Sequence, residues 1–153
     1  MAKKKVAGSG AINNKRARFD YDLTESFMAG LVLNGPEVRS IRGSHISLTG
    51  SFITMKDDEA WLMNATVSAV KTNAAYLPEE MQIRNRKLLL KKRELNALQQ
   101  AKNQGLSIVP LRVLNKGRFI KIEIAVGKGK RQYDKRQSIK KRDEEREVRR
   151  TAR

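Results

Sequence analysis

The strongest constraint on the fold lies between residues 109 and 126. Val109, Leu111 and Val113 alternate with other residues, Asn115-Lys116-Gly117 turns the chain, and Ile120, Ile122, Ile124 and Val126 alternate on the way back. A period of two puts each set on one face of an extended chain, and two such runs joined by a short glycine-containing turn make an antiparallel hairpin. That apolar face must be covered by something else in the chain. Pro110 has no N–H to give to a ladder, so its strand is expected at an edge or with a bulge.

Weaker alternation recurs upstream. Phe19, Tyr21, Leu23 and Phe27 share one parity, with Asp20, Asp22 and Thr24 on the other. Glu25 breaks the apolar parity, and a bend or bulge is expected there. Gly30 permits a turn or kink before Leu31-Val32-Leu33 resumes an extended run. Ile46 to Met55 and Ala60 to Val67 read as two strands around a polar turn, Lys56-Asp57-Asp58-Glu59, with Trp61 expected in the core.

Helices are expected in two places. Gly35-Pro36 opens a short one that ends at Gly43. Val38 and Ile41 share its apolar face; Arg39 and Arg42 share another, as incidental surface arginines or as an RNA contact. After a polar connection from Ser68 to Arg84, Asn85 caps a helix from Arg86 to Gln104. Its apolar face carries Leu88, Leu95, Leu98 and Ala101. Arg86, Lys91, Lys92 and Arg93 on the other face are either solvated or in contact with phosphate. About six short strands with two or three helices make a mainly β chain, arranged as a small antiparallel barrel.

The end of the chain obeys different rules. Residues 127–153 hold twelve Lys or Arg against five Asp or Glu, and only Tyr133, Ile139, Val148 and Ala152 are apolar enough to pack. Apolar burial stabilises by roughly 25 cal/mol per Å², which cannot offset about 1–2 kcal/mol of chain entropy per residue here. Asp134 and Gln137 nevertheless have the spacing of a helix cap, and Glu145 and Arg149 stand at i, i+4 in the favourable order. Two readings fit: a solvated basic tail without function, or a segment that becomes helical once a polyanion holds it.

A formal charge of +17 over 153 residues points to a polyanionic partner. Nucleic acid fits better than a membrane surface, because the tail has no apolar stripe to lie in lipid. The absence of cysteine excludes disulfides, thiolate metal sites and cysteine nucleophiles, and fits a reducing cytoplasm. Asp57-Asp58-Glu59 lacks further ligands at metal-loop spacing, and the single histidine, His45, has no identifiable catalytic neighbours. An enzyme is not expected, and neither is a cofactor. A structural ribosomal protein with a basic tail and an RNA-binding adaptor both fit the composition.

Four blocks in order separate these two. Asn14-Lys15-Arg16-Ala17-Arg18 with Asp20-Tyr21, Gly35-Pro36-Glu37-Val38-Arg39-Ser40-Ile41-Arg42, Arg86-Lys87-Leu88-Leu89-Leu90 with Lys92-Arg93-Glu94-Leu95, and Gly127-Lys128-Gly129-Lys130 with Tyr133-Asp134-Lys135-Arg136 resemble the small protein B family, the tmRNA-binding proteins of bacterial trans-translation. The resemblance runs from about Ile12 to Arg153. It implies an oligonucleotide-binding-type barrel over 12–126, a flexible basic N-terminus over 1–11, and a tail over 127–153 that is disordered when free and helical on the ribosome. The implied function is that of a monomeric, non-enzymatic cytoplasmic adaptor. It would bind the tRNA-like domain of tmRNA, promote its alanyl-charging by alanyl-tRNA synthetase, and travel with elongation factor Tu to stalled ribosomes. There the tail would sense an mRNA channel empty of downstream message.

The resemblance also implies residues. Leu89, Lys121, Asn14, Lys15, Arg16 and Arg18 match positions used at the tmRNA face. Tyr133, Asp134, Lys135 and Arg136, with Lys140, Lys141 and Arg142, match tail contacts to small-subunit ribosomal RNA, Tyr133 by stacking. Two positions depart: Met28 stands where the family often has a glutamate that assists RNA binding, and Phe19 where it commonly has histidine.

Overall fold

The computed structural model describes residues 11–70, 74–130 and 132–151. Residues 1–10 of the expected flexible N-terminus and the Lys71-Thr72-Asn73 part of the polar connection lie outside the described residues; Ala11, expected in that flexible segment, instead pairs with Leu114. Nine strands are described: β1 (Ala11–Asn13), β2 (Tyr21–Leu31), β3 (Ile46–Ser47), β4 (Phe52–Lys56), β5 (Glu59–Met63), β6 (Thr66–Val67), β7 (Arg86–Leu89), β8 (Ser107–Leu114) and β9 (Lys121–Gly129). The helices are α1 (Lys15–Asp20), α2 (Gly35–Arg42), α3 (Glu79–Gln82), α4 (Lys92–Asn103) and α5 (Gln132–Thr151).

Six strands form a ring. The order β8-β4-β5-β7-β2-β9 returns to β8, with every pairing antiparallel, while β1 adds to β8 and β3 pairs with β6 in a separate two-stranded sheet. Closure leaves no free ring edge. The hairpin expected from alternation is β8–β9, and Ile108, Val113, Ile122, Ile124 and Val126 point into the main core. Val109, Leu111 and Val113 do not share one face, however: Val109 and Leu111 pack outside the ring, because the register shift between Pro110 and Arg112 reverses the parity of β8. Two sequence irregularities become bulges. The β2–β9 register shifts between Leu23 and Glu25, and the β8–β9 register shifts between Pro110 and Arg112. Pro110 is thus accommodated by a bulge, inside a strand paired on both sides.

The strands around residues 46–67 are shorter than expected. Each run splits, and only Phe52–Lys56 and Glu59–Met63 enter the ring, joined through Asp57 and Asp58 at φ of 52° and 60°. Two left-handed residues make the tight hairpin turn whose twist suits the strands. Trp61 is half-buried on the outer face, because Ala60 and Leu62 take the inward parity.

Two further expectations are corrected. Phe19 belongs to α1, and the strand begins at Tyr21. The helix expected over Arg86–Gln104 begins only at Lys92, with Arg86–Leu89 as β7. Leu, Lys and Arg favour helix locally, but β5 and β2 each lack a neighbour, and β7 closes the ring between them. The cap is accordingly not Asn85. The Lys91 backbone N–H donates to the Glu94 carboxylate at 2.9 Å as α4 starts.

Helix α2 starts as its sequence directs. The Glu37 N–H donates to the Asn34 side chain at 3.0 Å and the Asn34 N–H donates to Glu37 at 3.1 Å, a reciprocal cap with Pro36 in the first turn. Ile41 of α2 is fully buried in the main core. Outside the ring, Ala17 of α1 packs on Val109, Leu111 and Ala125, so α1 covers one half of the outer face of β8 and β9. β9 continues past Val126 to Gly129. Beyond it, α5 spans twenty residues, about 30 Å at 1.5 Å per residue, and among the described residues it meets the body chiefly at α1.

Candidate nucleic-acid interface

The half of the outer face that α1 leaves open is built from register. On β2, Gly30 lies opposite Leu89 of β7 on one side and Lys121 of β9 on the other. Neighbouring strands are about 4.8 Å apart, so Leu89 and Lys121 stand on either side of a residue without a side chain. A Cβ on Gly30 would sit 3.4 Å from the Leu89 Cβ. That is ordinary packing distance, and the Leu89 Cδ1 would lie 3.6 Å from the same point, so the Leu89 side chain leans over Gly30 toward Lys121. Leu89 is 53% exposed, an apolar group held at the surface beside a cation.

The next row along the same face is Met28 opposite Glu123, which lies opposite Arg112. The Arg112 Nε donates to Glu123 at 2.7 Å. Arg112 and Glu123 also border a cleft with Asn14, Lys15, Arg18 and the tail residue Arg142. The surface thus runs from a largely polar and charged end at α1 to a mixed apolar and cationic end at Leu89 and Lys121.

The structure brings five of the six expected body residues to this surface: Leu89, Lys121, Asn14, Lys15 and Arg18. Asn14 also has a structural role, since its side chain donates to the Pro110 carbonyl at 3.0 Å and its N–H to the Leu111 carbonyl at 2.7 Å. Arg16 is set apart. It faces Asp20 at 3.5 Å and lies 5.7 Å from the Phe19 ring centroid, with Arg142 of α5 at 5.5 Å from the same ring. Phe19 is the point where α1 and α5 meet, and Lys15, Arg16, Arg142 and Arg146 line the cleft between the two helices. Arg136, Lys140 and Lys141 are exposed along α5. The side chains of Tyr133, Asp134 and Lys135 lie outside the described residues; their backbone opens α5.

Some cations expected at phosphate are committed elsewhere. Arg86 is fully buried, and its guanidinium donates to Glu37 at 2.7 Å and to the carbonyls of Ala65, Arg84, Met81 and Gln82. Arg84 donates to both Glu37 oxygens, at 2.9 and 2.5 Å. Burial on its own would raise the Glu37 carboxyl; the hydrogen bonds from Arg84 and Asn34 and the charge of Arg86 outweigh it and hold the carboxyl below its usual range. Burial pulls the Arg86 guanidinium down, against the charge of Glu37. Arg42 is also engaged, donating to the carbonyls of Asn115, Gly117 and Arg118. Arg39, Lys91, Lys92 and Arg93 are exposed.

Glu59 forms an ion pair with Lys87, and His45 is exposed, its N–H donating to the Ser40 carbonyl. Among the described residues no group of three or more His, Asp or Glu could hold a metal ion. None of their helices is long and apolar enough to cross a membrane.

A family model described as SmpB protein matches residues 11–153. The chain belongs to the SmpB family. An SmpB-family relative from Oleidesulfovibrio alaskensis, an SsrA-binding protein, is 45% identical over 152 residues, covering 98% of this chain and 97% of its own. The SsrA-binding protein of Ligilactobacillus salivarius is 42% identical over 152 residues, covering 99% of this chain and 97% of its own. A solved SmpB-family structure, described as "tmRNA-SmpB: a journey to the center of the bacterial ribosome", superimposes with a TM-score of 0.66 at 33% identity, over 85% of this chain and 94% of that one.

Sequence reasoning missed Arg112, Arg118 and Phe119. The alternation that sends Ile120 and Ile122 inward also sends Phe119 and Lys121 outward, and an aromatic directly after Arg118 on the outward parity was the available signal.

Proposed function

We propose that the protein is a non-enzymatic RNA-binding adaptor of trans-translation. It binds the tRNA-like domain of tmRNA with the open outer face of β7, β2, β9 and β8 and takes it to stalled ribosomes. Family membership over residues 11–153 carries this reading. The relatives are named for binding SsrA, and the solved neighbour is described with tmRNA and the bacterial ribosome. These relationships do not favour a structural ribosomal protein.

The division of labour follows from chemistry. Cations at Lys15, Arg18 and Lys121 neutralise phosphates, which orients the RNA without reading its sequence. The tail serves a second RNA. Helix α5 is exposed along almost its whole described length, including Ile139 and Val148. Isolated helices of this length are marginal in water, so the tail is loosely held in the free protein and becomes firmly helical in the ribosomal mRNA channel. Tyr133 stacks near the decoding centre, with Asp134, Lys135, Arg136, Lys140, Lys141 and Arg142 beyond it. An occupied channel excludes the tail. The protein acts as a cytoplasmic monomer, and alanyl-tRNA synthetase and elongation factor Tu meet it through tmRNA.

Sequencing the RNA that co-purifies with the tagged protein tests the reading. One tRNA-like RNA should dominate, with ribosomes present in substoichiometric amount. Equal recovery with all ribosomes would instead identify a structural ribosomal protein.

A further inference from the structure

We propose that the loop between β8 and β9 holds a seat for one unstacked RNA base, with Phe119 as the stacking surface. This rests on reading the adjoining face as an RNA surface, and adds to it which feature of the RNA is gripped.

Phe119 is 66% exposed and follows Arg118, whose guanidinium carbon lies 5.6 Å from the ring centroid. Leaving a phenylalanine ring in water forfeits its burial energy, and a free loop could fold it away. This loop is not free. The fully buried Asn115 side chain donates to the Ile41 carbonyl at 2.7 Å and to the Ser44 hydroxyl at 3.1 Å. Arg42 donates to the carbonyls of Asn115, Gly117 and Arg118 at 3.3, 2.6 and 3.2 Å. Lys116 donates back to the Arg42 carbonyl at 3.3 Å. Gly117, at a φ of 87°, makes the turn that few other residues would accept. The end of α2 and the loop are thus clamped together, and the ring is presented at a fixed place before any partner arrives. Such preorganisation lowers the ordering cost of binding.

The groove beside the ring identifies the occupant. It measures about 450 Å³ and is bordered by Phe119, Leu89, Lys121 and Arg118, with no carboxylate in its lining. An apolar peptide would leave those cations unused, whereas a nucleotide matches both parts: the base lies on the ring and Leu89, and its phosphates meet Arg118 and Lys121. The groove differs from the charged cleft at Lys15, Arg18 and Arg112, which has no exposed aromatic on its border. One end of the face therefore follows the backbone, and the other takes a base that has left its helix. Because every base has a π-face, the seat reads unpairing rather than sequence.

The test uses the full-length protein and a transcript of the tRNA-like domain of tmRNA, with 2-aminopurine placed at its unpaired positions one at a time. Affinity, its salt dependence and melting temperature are measured for Phe119→Leu, Phe119→Trp and Lys121→Glu. Phe119→Leu should bind about ten-fold more weakly, within the range of one lost stacking contact, with an unchanged salt slope and melting temperature. Phe119→Trp should bind like the parent. One 2-aminopurine position should change fluorescence on binding the parent protein and not Phe119→Leu. If the parent binds and Lys121→Glu weakens it while Phe119→Leu does not, the base seat is wrong and the RNA face stands. Equal losses in Phe119→Leu and Phe119→Trp would also overturn the seat. If the parent does not bind the transcript at all, the RNA reading fails and the seat with it.

Discussion

Arg86 and Arg142 are the same kind of residue in opposite circumstances. In the barrel body, Arg86 is wholly enclosed, and its hydrogen bonds go to Glu37 and to four backbone carbonyls. In the tail, Arg142 lies on an exposed helix and touches the body through the Phe19 ring. The body uses a few charges to fix one arrangement of strands and helices. Among the described residues the tail carries many exposed charges, of which Arg142 is the one that meets an aromatic ring of the body. Charge density along the sequence therefore does not report which cations a nucleic acid can reach.

Removing the tail should have the largest effect. A chain ending after Gly129 keeps all nine described strands and should bind the tRNA-like domain of tmRNA within a few-fold of the full chain, Arg142 being the cation lost from the charged cleft. Peptide transfer on stalled ribosomes should disappear. Full transfer by the shortened protein would end the proposed role of the tail.

The buried charges should matter to folding rather than to RNA. Glu37→Gln leaves Arg86 enclosed without its counter-charge, and breaking a buried pair costs about 3–5 kcal/mol. Urea unfolding would measure the loss. The pH dependence has a definite sign. The folded Glu37 carboxyl is held below its ordinary value of 4.5, so its stabilisation is complete above that value and is lost as pH falls through the depressed one. Glu37→Gln should remove that part of the acid sensitivity; an unchanged acid limb would show that other carboxylates set it.

Smaller effects separate the two regions further. Tyr133→Ala should weaken ribosome engagement by about 1–3 kcal/mol, the range of one stacking contact, while Tyr133→Phe and Tyr133→His retain most of it. None of the three should alter affinity for free tmRNA. Lys121→Glu should do the reverse, weakening tmRNA binding and lowering its salt slope by about one, with ribosome contacts of the tail intact. The smallest effect belongs to the joint between the regions. Phe19→Leu removes a ring flanked by Arg16 and Arg142. Cation–π contacts at exposed sites are worth about 0.5–1 kcal/mol, so amide exchange in α5 should quicken modestly while β8 and β9 stay protected.

What the sequence determined by itself was local or familial. The hairpin over 109–126 with the inward alternation of its return strand, the bulges near Glu25 and Pro110, the limits of α2 and the family follow from residue order, because period-two burial, a missing proline N–H and a helix cap act over a few residues. Tertiary structure decided what depends on closing the ring. Arg86-Lys87-Leu88-Leu89 has good helix formers and becomes a strand because β5 and β2 both need a partner. That choice turns Arg86 inward to a carboxylate 49 residues away, and sets Leu89 beside Lys121 across Gly30. Arg42 is drawn to the loop that presents Phe119 for the same reason: α2 reaches residues 115–118 only once the strands between them have closed. A pattern of neighbours along the chain holds no record of which distant group will satisfy a buried donor, and here that decides which cations remain for RNA.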